Sequence, residues 1–174
     1  MDFNYNAFIF LVTKQNNKYK LMLVRTTNNK SFGIPGGMSD TNEDPFTTMQ
    51  REFNEETTNY VTKEELILNN FKIYYYEPTN AYIYYGIIPN KKLRSGSINM
   101  NETDYIYHLD INKIFKYNHN LIFDYTSAPL GFDYRYTIKS TSGKSYPLRK
   151  AMIESTKDMI KDKDFKQFII SLLV

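Results

Sequence analysis

A chain of 174 residues, 41% hydrophobic and 24% charged, can bury a sizeable core and has an ordinary globular composition. With no cysteine and only two histidines, His108 and His119, it excludes disulfides, thiolate metal sites, cysteine nucleophiles and a histidine-rich zinc centre. Any metal must be held mainly by oxygen, the chemistry of Mg²⁺ or Mn²⁺, and a net charge of +3 suits an anionic substrate without indicating a nucleic-acid surface.

Residues 7–12 (AFIFLV) are a continuous apolar run and predict a buried strand. The run is too short to span a membrane and follows no basic segment, so a soluble cytoplasmic protein with no membrane partner is the expectation. Residues 14–18 read as a turn and 19–25 as the returning strand of a hairpin. After a polar turn at 28–30, Phe32-Gly33-Ile34-Pro35-Gly36-Gly37 predicts a short strand entering a tight loop. Asp44-Pro45 is a helix start, with Asp as N-cap and Pro at the first helical position, and the helix should run to about Thr57. Phe46, Met49 and Phe53 give it one apolar stripe. Residues 63–68 fit either a strand or a helical turn. Residues 71–76 and 82–88, rich in aromatic and β-branched side chains, predict a second hairpin around Glu77-Pro78-Thr79-Asn80.

Residues 89–99 read as a polar loop carrying Lys91, Lys92 and Arg94, followed by a short strand at 105–109 and a short helix at 110–115. Strands at 121–125 and 132–138 flank a loop at 128–131, and 141–146 reads as a flexible loop. Its SGKS stretch lacks the glycine pattern and preceding strand of a phosphate loop. Helices are expected at 147–160 and 165–173. This order of elements predicts one α/β domain over 1–174, an α/β/α sandwich with a mixed sheet between helices.

The chemistry concentrates between Gly36 and Tyr60. Glu52, Glu55 and Glu56 stand at i, i+3 and i+4 and converge on one helix face. Like charges at this spacing cost a few tenths of a kcal/mol per pair, and a divalent cation would turn the repulsion into binding. The Gly-Gly loop before the helix can offer backbone carbonyls and close approach.

This spacing resembles the Nudix hydrolases, whose pattern is G-x5-E-x7-R-E-U-x-E-E-x-G-U with U a bulky apolar residue. Gly37, Glu43, Arg51-Glu52-Phe53 and Glu55-Glu56 fall at the required intervals. The match departs at its end, where Thr58 stands for the last glycine and Asn59 for the last apolar residue. The resemblance implies a pyrophosphohydrolase dependent on Mg²⁺ or Mn²⁺. Glu52, Glu55 and Glu56 would be its metal ligands with the Gly37 carbonyl, and Glu43 would pair with Arg51 structurally. It also implies a further acid on a later loop. Glu102 is the candidate, with Asp104 as runner-up, and the catalytic set is then Glu55, Glu56 and Glu102.

The implied substrate is a nucleoside diphosphate linked to another moiety, such as ADP-ribose or a nucleotide sugar. Alternatives within the family are capped RNA, dinucleoside polyphosphates or diphosphoinositol phosphates. A catalytically silent nucleotide-binding module is the alternative from another class. A homodimer is an assembly the resemblance allows. For substrate contacts, Arg25 is a candidate phosphate ligand beside the Gly loop. Among Tyr74, Tyr76, Tyr82 and Tyr84, the residues Tyr82 and Tyr84 are the candidates for stacking on a base. The two histidines read as structural.

Overall fold

The apolar run near the start of the chain becomes the middle of a mixed sheet because both of its faces are covered. In the computed structural model, which describes residues 4–130, 133–139 and 144–173, β1 (Asn6–Gln15) and β2 (Lys18–Thr26) form the first hairpin. Asn16 and Asn17 take positive φ at its turn, as a tight hairpin requires. β3 (Phe32–Gly33) and β4 (Gly36–Met38) follow, then α1 (Pro45–Thr57), capped by the Asp44 side chain on the Thr47 N–H at 2.8 Å. The segment read as strand or helix is α2 (Lys63–Leu68). Its Thr62–Glu65 capping box satisfies two backbone donors and settles the choice. β5 (Lys72–Tyr76) and β6 (Ala81–Ile87) form the second hairpin through a 3-10 turn at Glu77–Thr79. β7 (Gly96–Ser97) and β8 (Thr103–Asp110) lead into α3 (Ile111–Ile114) and a separate hairpin of β9 (Phe115–Asn118) and β10 (Asn120–Phe123). β11 (Thr126–Leu130), β12 (Asp133–Lys139), β13 (Ser145–Leu148), α4 (Lys150–Met159) and α5 (Lys163–Leu172) complete the chain.

Among the described residues, one sheet runs in the order β11-β12-β13-β3-β2-β1-β6-β5, with β8 on β2 and β4 on β1. β1 is parallel to β6 and β13 is parallel to β3, while the other pairings are antiparallel, which makes the sheet mixed as expected. Ala7, Ile9 and Leu11 point to the face covered by α1, where Met49 and Phe53 are buried. Phe10 and Val12 point to the opposite face, packed with Phe165, Met152 and Ile169 of α4 and α5. Phe10 meets Phe165 edge-on with ring centroids 5.3 Å apart. A strand buried on both faces carries no polar alternation, and this is why 7–12 is continuously apolar. No helix among the described residues is long and apolar enough to cross a membrane.

Three expectations for the C-terminal third are corrected. Ala128, Pro129 and Leu130, read as a loop, belong to β11 and pair with β12; Gly131 lies outside the described residues. Of the loop expected at 141–146, Ser145 and Tyr146 lie in β13, and 141–143 are outside the described residues. The helix expected from Pro147 starts instead at Lys150. A residue before proline is biased toward extended backbone, which places Tyr146 in a strand. Leu148 then pairs with Phe32, far away in sequence.

The end of α1 explains the departure from the family pattern. Thr58 is the C-cap, in the left-handed region at φ 57 and ψ 9, and its N–H donates to the Asn54 carbonyl. A glycine takes this conformation freely, whereas a β-branched residue there costs roughly 1–2 kcal/mol. Asn59, in place of an apolar residue, accepts from the Arg94 N–H at 2.8 Å and donates to the Arg94 carbonyl at 3.2 Å. Thr58→Gly should therefore stabilise the protein by about 0.5–1 kcal/mol, less than the full strain because glycine also gains freedom in the unfolded chain. Thermal unfolding checks this, and a lowered melting temperature would contradict the strain argument.

Candidate functional site

Helix α1 carries the acids, and the Gly36–Met38 strand lies against it. The N–H of Gly36 donates to Glu56 Oε1 at 3.0 Å and so ties the loop to the end of the helix. A side chain at Gly36 is excluded, since a Cβ there would stand 2.3 Å from the Ala7 carbonyl oxygen at φ +152. At Gly37 a Cβ would stand 2.6 Å from the Glu52 carboxyl carbon, so the helix acid and the loop backbone are in direct apposition. Glu102 approaches from the turn before β8. Its carbonyl accepts from the Thr27 N–H at 2.9 Å, and the neighbouring Thr103 hydroxyl donates to the Glu56 carbonyl at 2.7 Å. Glu52, Glu55, Glu56 and Glu102 thereby line one hollow of about 450 Å³ with Asn99, Met100 and Asn101.

The three helix acids differ in environment. The Glu55 side chain is 57% exposed and the Glu52 side chain 14%, while Glu56 is only 5% exposed as a residue. Burial pushes the Glu56 carboxyl up to about 8, opposed by the Arg149 charge and the Gly36 N–H and reinforced by the charges of Glu52 and Glu102. Burial likewise raises Glu52, with the charges of Glu55 and Glu102 adding to it and Arg51 opposing.

Arg51 is the hub of the loop–helix junction. Its Nε and Nη2 donate to the two oxygens of Glu43, each at 2.9 Å, and Nη2 also donates to the Met38 carbonyl at 3.0 Å. Nη1 reaches Glu52 at 2.9 Å and Glu55 at 3.3 Å. The Glu43 carboxylate further accepts from the Asp40 N–H at 2.7 Å and the Thr48 hydroxyl at 3.0 Å, and the Tyr5 hydroxyl donates to its backbone carbonyl.

The donor set suits a hard divalent cation: it is all oxygen, and the buried Glu56 Oε2 has no hydrogen-bond partner. Among the described residues, however, no three carboxylates or histidines stand close enough to form a ready cage. Glu52 and Glu55 lean toward Arg51 instead, and a cation would compete with that guanidinium for them.

Other expected residues are placed elsewhere. Arg25 donates from Nε to Asp104 at 2.7 Å, lies over the Phe32 and Tyr105 rings, and is not among the residues lining the hollow. Asp104 also pairs with Lys30, these partners hold its carboxyl low despite burial, and it is not among the residues lining the hollow. Tyr82 and Tyr84 face the α1 side of the sheet. Tyr82 packs on Tyr5 and Tyr75, and Tyr84 is buried against Phe46. Neither lines the acidic hollow. Lys91 is paired with Glu65 at 2.7 Å, which tethers the polar loop to α2, while Lys92 and Arg94 are exposed.

Sequence reading missed Arg149. Its side chain lies flat on Gly33, where an added Cβ would come within 2.8 Å of Arg149 Cδ, and its N–H donates to the Phe32 carbonyl at 2.8 Å. Nε and Nη2 are buried without a hydrogen-bond partner. The charges of Glu56 and Glu102 act on this guanidinium and offset part of its burial. The only sequence signal was an arginine following Leu148 at the end of the polar 141–146 stretch and Pro147.

The sequence matches the NUDIX domain over residues 3–111. No curated protein matches the chain. A MutT/nudix family protein from Enterococcus faecalis aligns with 98% of this chain and 68% of its own at 13% identity and a TM-score of 0.50. A C. elegans Ap4A hydrolase in a binary complex aligns over 62% of this chain and 80% of its own, at 18% identity and a TM-score of 0.47. The NUDIX domain of Shewanella oneidensis NrtR, complexed with ADP ribose, aligns over 62% and 72% at 15% identity and 0.46.

The Arg51 hydrogen bonds outweigh burial and hold the Glu43 carboxyl down to about 2, from the usual 4.5. The unfolded chain therefore binds more protons between these values. The stability contributed by the pair is fully present above pH 4.5 and is lost as the pH falls toward about 2. Glu43→Gln should lower stability at neutral pH by about 2–3 kcal/mol, with a smaller difference from wild type at pH 3. Denaturant melts of both proteins at the two pH values check it. A difference independent of pH would show that charge is not the origin.

Proposed function

The chain belongs to the Nudix family as an enzyme of its pyrophosphohydrolase type, and from that premise we propose that it hydrolyses a phosphoanhydride bond in a nucleoside diphosphate linked to another moiety, with Mg²⁺ or Mn²⁺ bound at Glu52, Glu55, Glu56 and the Gly37 carbonyl. ADP-ribose, a nucleotide sugar or a related nucleotide is the substrate class. The observation that carries this reading is the convergence of the three α1 acids and Glu102 on one hollow, with Glu56 Oε2 buried and unpartnered. A bound divalent cation supplies charge neutralisation at the phosphoanhydride and acidifies water.

The chain's own residues have distinct tasks. Glu102, on the opposite wall from α1, accepts the proton of the attacking water. That water's oxygen bonds to one phosphorus, the bond from this phosphorus to the bridging oxygen breaks, and two phosphorylated products leave. Glu56, anchored by Gly36, fixes the position of the ligand set. Arg51 and Glu43 hold the loop on the helix and touch no reacting atom.

The reading is tested with a panel of ADP-ribose, nucleotide sugars, nucleoside triphosphates, dinucleoside polyphosphates, diphosphoinositol phosphates and capped RNA, each with Mg²⁺, with Mn²⁺ and with chelator. Hydrolysis should require the cation. Glu55→Gln and Glu56→Gln should each lower kcat by at least about 100-fold, as loss of a group essential to the chemical step does. Their melting temperatures should stay near that of wild type. Full activity in both variants would overturn the assignment.

A further inference from the structure

Thr58 and Asn59, the residues at which the chain departs from the Nudix pattern, hold the same partner. Asn59 accepts from the Arg94 N–H at 2.8 Å and donates to the Arg94 carbonyl at 3.2 Å. The Thr58 hydroxyl accepts from Arg94 Nη1 at 3.3 Å. Leu93 packs on the core beneath α1, while Lys92 and Arg94 on either side of it are exposed. From Arg94 the chain passes through β7 to residues 99–102, which line the acidic hollow together with the α1 acids. Thr58 itself stands one helical turn beyond Glu55, the most exposed acid of that hollow. A guanidinium is thus latched to the end of the helix that carries the acids.

Closing the helix does not account for this latch. Thr58 sits at φ 57, where glycine is the unstrained choice. Its hydroxyl donates to the Thr57 carbonyl at 2.6 Å, which leaves the oxygen lone pairs for Arg94. A bond to an exposed guanidinium competes with water and offsets little of that strain. Strained positions of this kind occur at ligand clamps, where the strain fixes a side chain for a task.

Resting on the function proposed above, we infer that Arg94 binds a substrate phosphate other than the two joined by the scissile anhydride. The moiety linked to the nucleoside diphosphate is then itself phosphorylated. The carboxylates and their cation take the scissile anhydride, and Arg94 stands outside that ligand set. Its planar fork suits a phosphate, and Lys92 beside it adds positive charge. Three hydrogen bonds already hold the residue, so less freedom is lost when an anion arrives. An unphosphorylated sugar in the linked position would gain nothing from this cation.

The test is calorimetric binding of inorganic pyrophosphate, tripolyphosphate and inositol hexakisphosphate to the full chain at matched free Mg²⁺. The second anion carries its further phosphate in a linear chain and the third on a ring, so the two separate the sources. At least one of them should bind about tenfold or more tighter than pyrophosphate, and folded Arg94→Gln should lose that preference. Thr58→Gly should weaken the preferred anion at least about threefold without lowering the melting temperature, whereas Thr58→Ser, which keeps the hydroxyl, should bind as wild type does. With a phosphorylated substrate, Arg94→Gln should raise KM at least about tenfold and leave kcat within about threefold. The inference is overturned if neither longer anion is preferred, if Arg94→Gln keeps the preference, or if Thr58→Gly binds as wild type does. Cation-dependent hydrolysis with an unchanged KM in Arg94→Gln would remove the inference and keep the reaction. Preference lost in the variants while wild type hydrolyses no phosphoanhydride would remove the reaction and keep the site.

Discussion

One guanidinium holds the junction on which the acidic hollow depends. Arg51 satisfies both oxygens of Glu43, the Met38 carbonyl and, from its third nitrogen, Glu52 and Glu55. Without it, three acids at i, i+3 and i+4 would repel one another, and the loop from Gly36 to Asp44 would lose its strongest tether to the helix. A lysine could not replace it, since a point charge cannot reach five acceptors in a fixed fork. The arrangement also blurs a division that the motif suggests. Glu43 and Arg51 are structural by position, yet Arg51 touches two of the acids expected to hold a cation. Its bonds to them neutralise the helix face until something more positive arrives.

The second constraint is the burial gradient along that face. Glu55 is open to water, Glu52 is mostly covered, and Glu56 is inside. Burial thus raises the proton affinity of the two covered acids, Glu52 and Glu56. The Gly36 N–H is what makes the innermost position tolerable, and it comes from a strand paired to β1. The acidic helix is therefore registered to the centre of the sheet through one hydrogen bond from the Gly36 N–H and through a glycine position that admits no side chain.

What was legible in the sequence is what local chemistry decides. The α1 boundaries follow from Asp44, Pro45 and the Met49–Phe53 stripe, and both hairpins follow from apolar or aromatic-rich runs separated by turn residues. What was not legible depends on partners distant in the chain. Arg25 reads as a free cation beside a glycine loop until β8 pairs with β2 and brings Asp104 to it. Tyr82 and Tyr84 alternate correctly for one face of β6, but alternation does not say whether that face is a pocket or a helix-covered core. β13 was lost for the same reason: Leu148 finds its partner at Phe32, and no local pattern reports a pairing of that separation. With 141–146 read as a loop and 147–160 as a helix, Arg149 falls inside a helix and its place beside Gly33 is not visible.

Several cations of the family-matching segment are engaged within the fold. Arg25 and Lys30 are paired with Asp104, Arg51 with the acids, Lys91 with Glu65, and Arg94 bonds the Thr58 hydroxyl. Each is already engaged in holding the fold. The acids of the hollow come from α1 and from the turn before β8, both inside the family match. Arg149, whose Nε and Nη2 are buried without a hydrogen-bond partner, lies beyond residue 111 and outside that match. Its charge nevertheless acts on Glu56, the innermost of the acids, so the later segment contributes to the electrostatics of a helix that the family match contains.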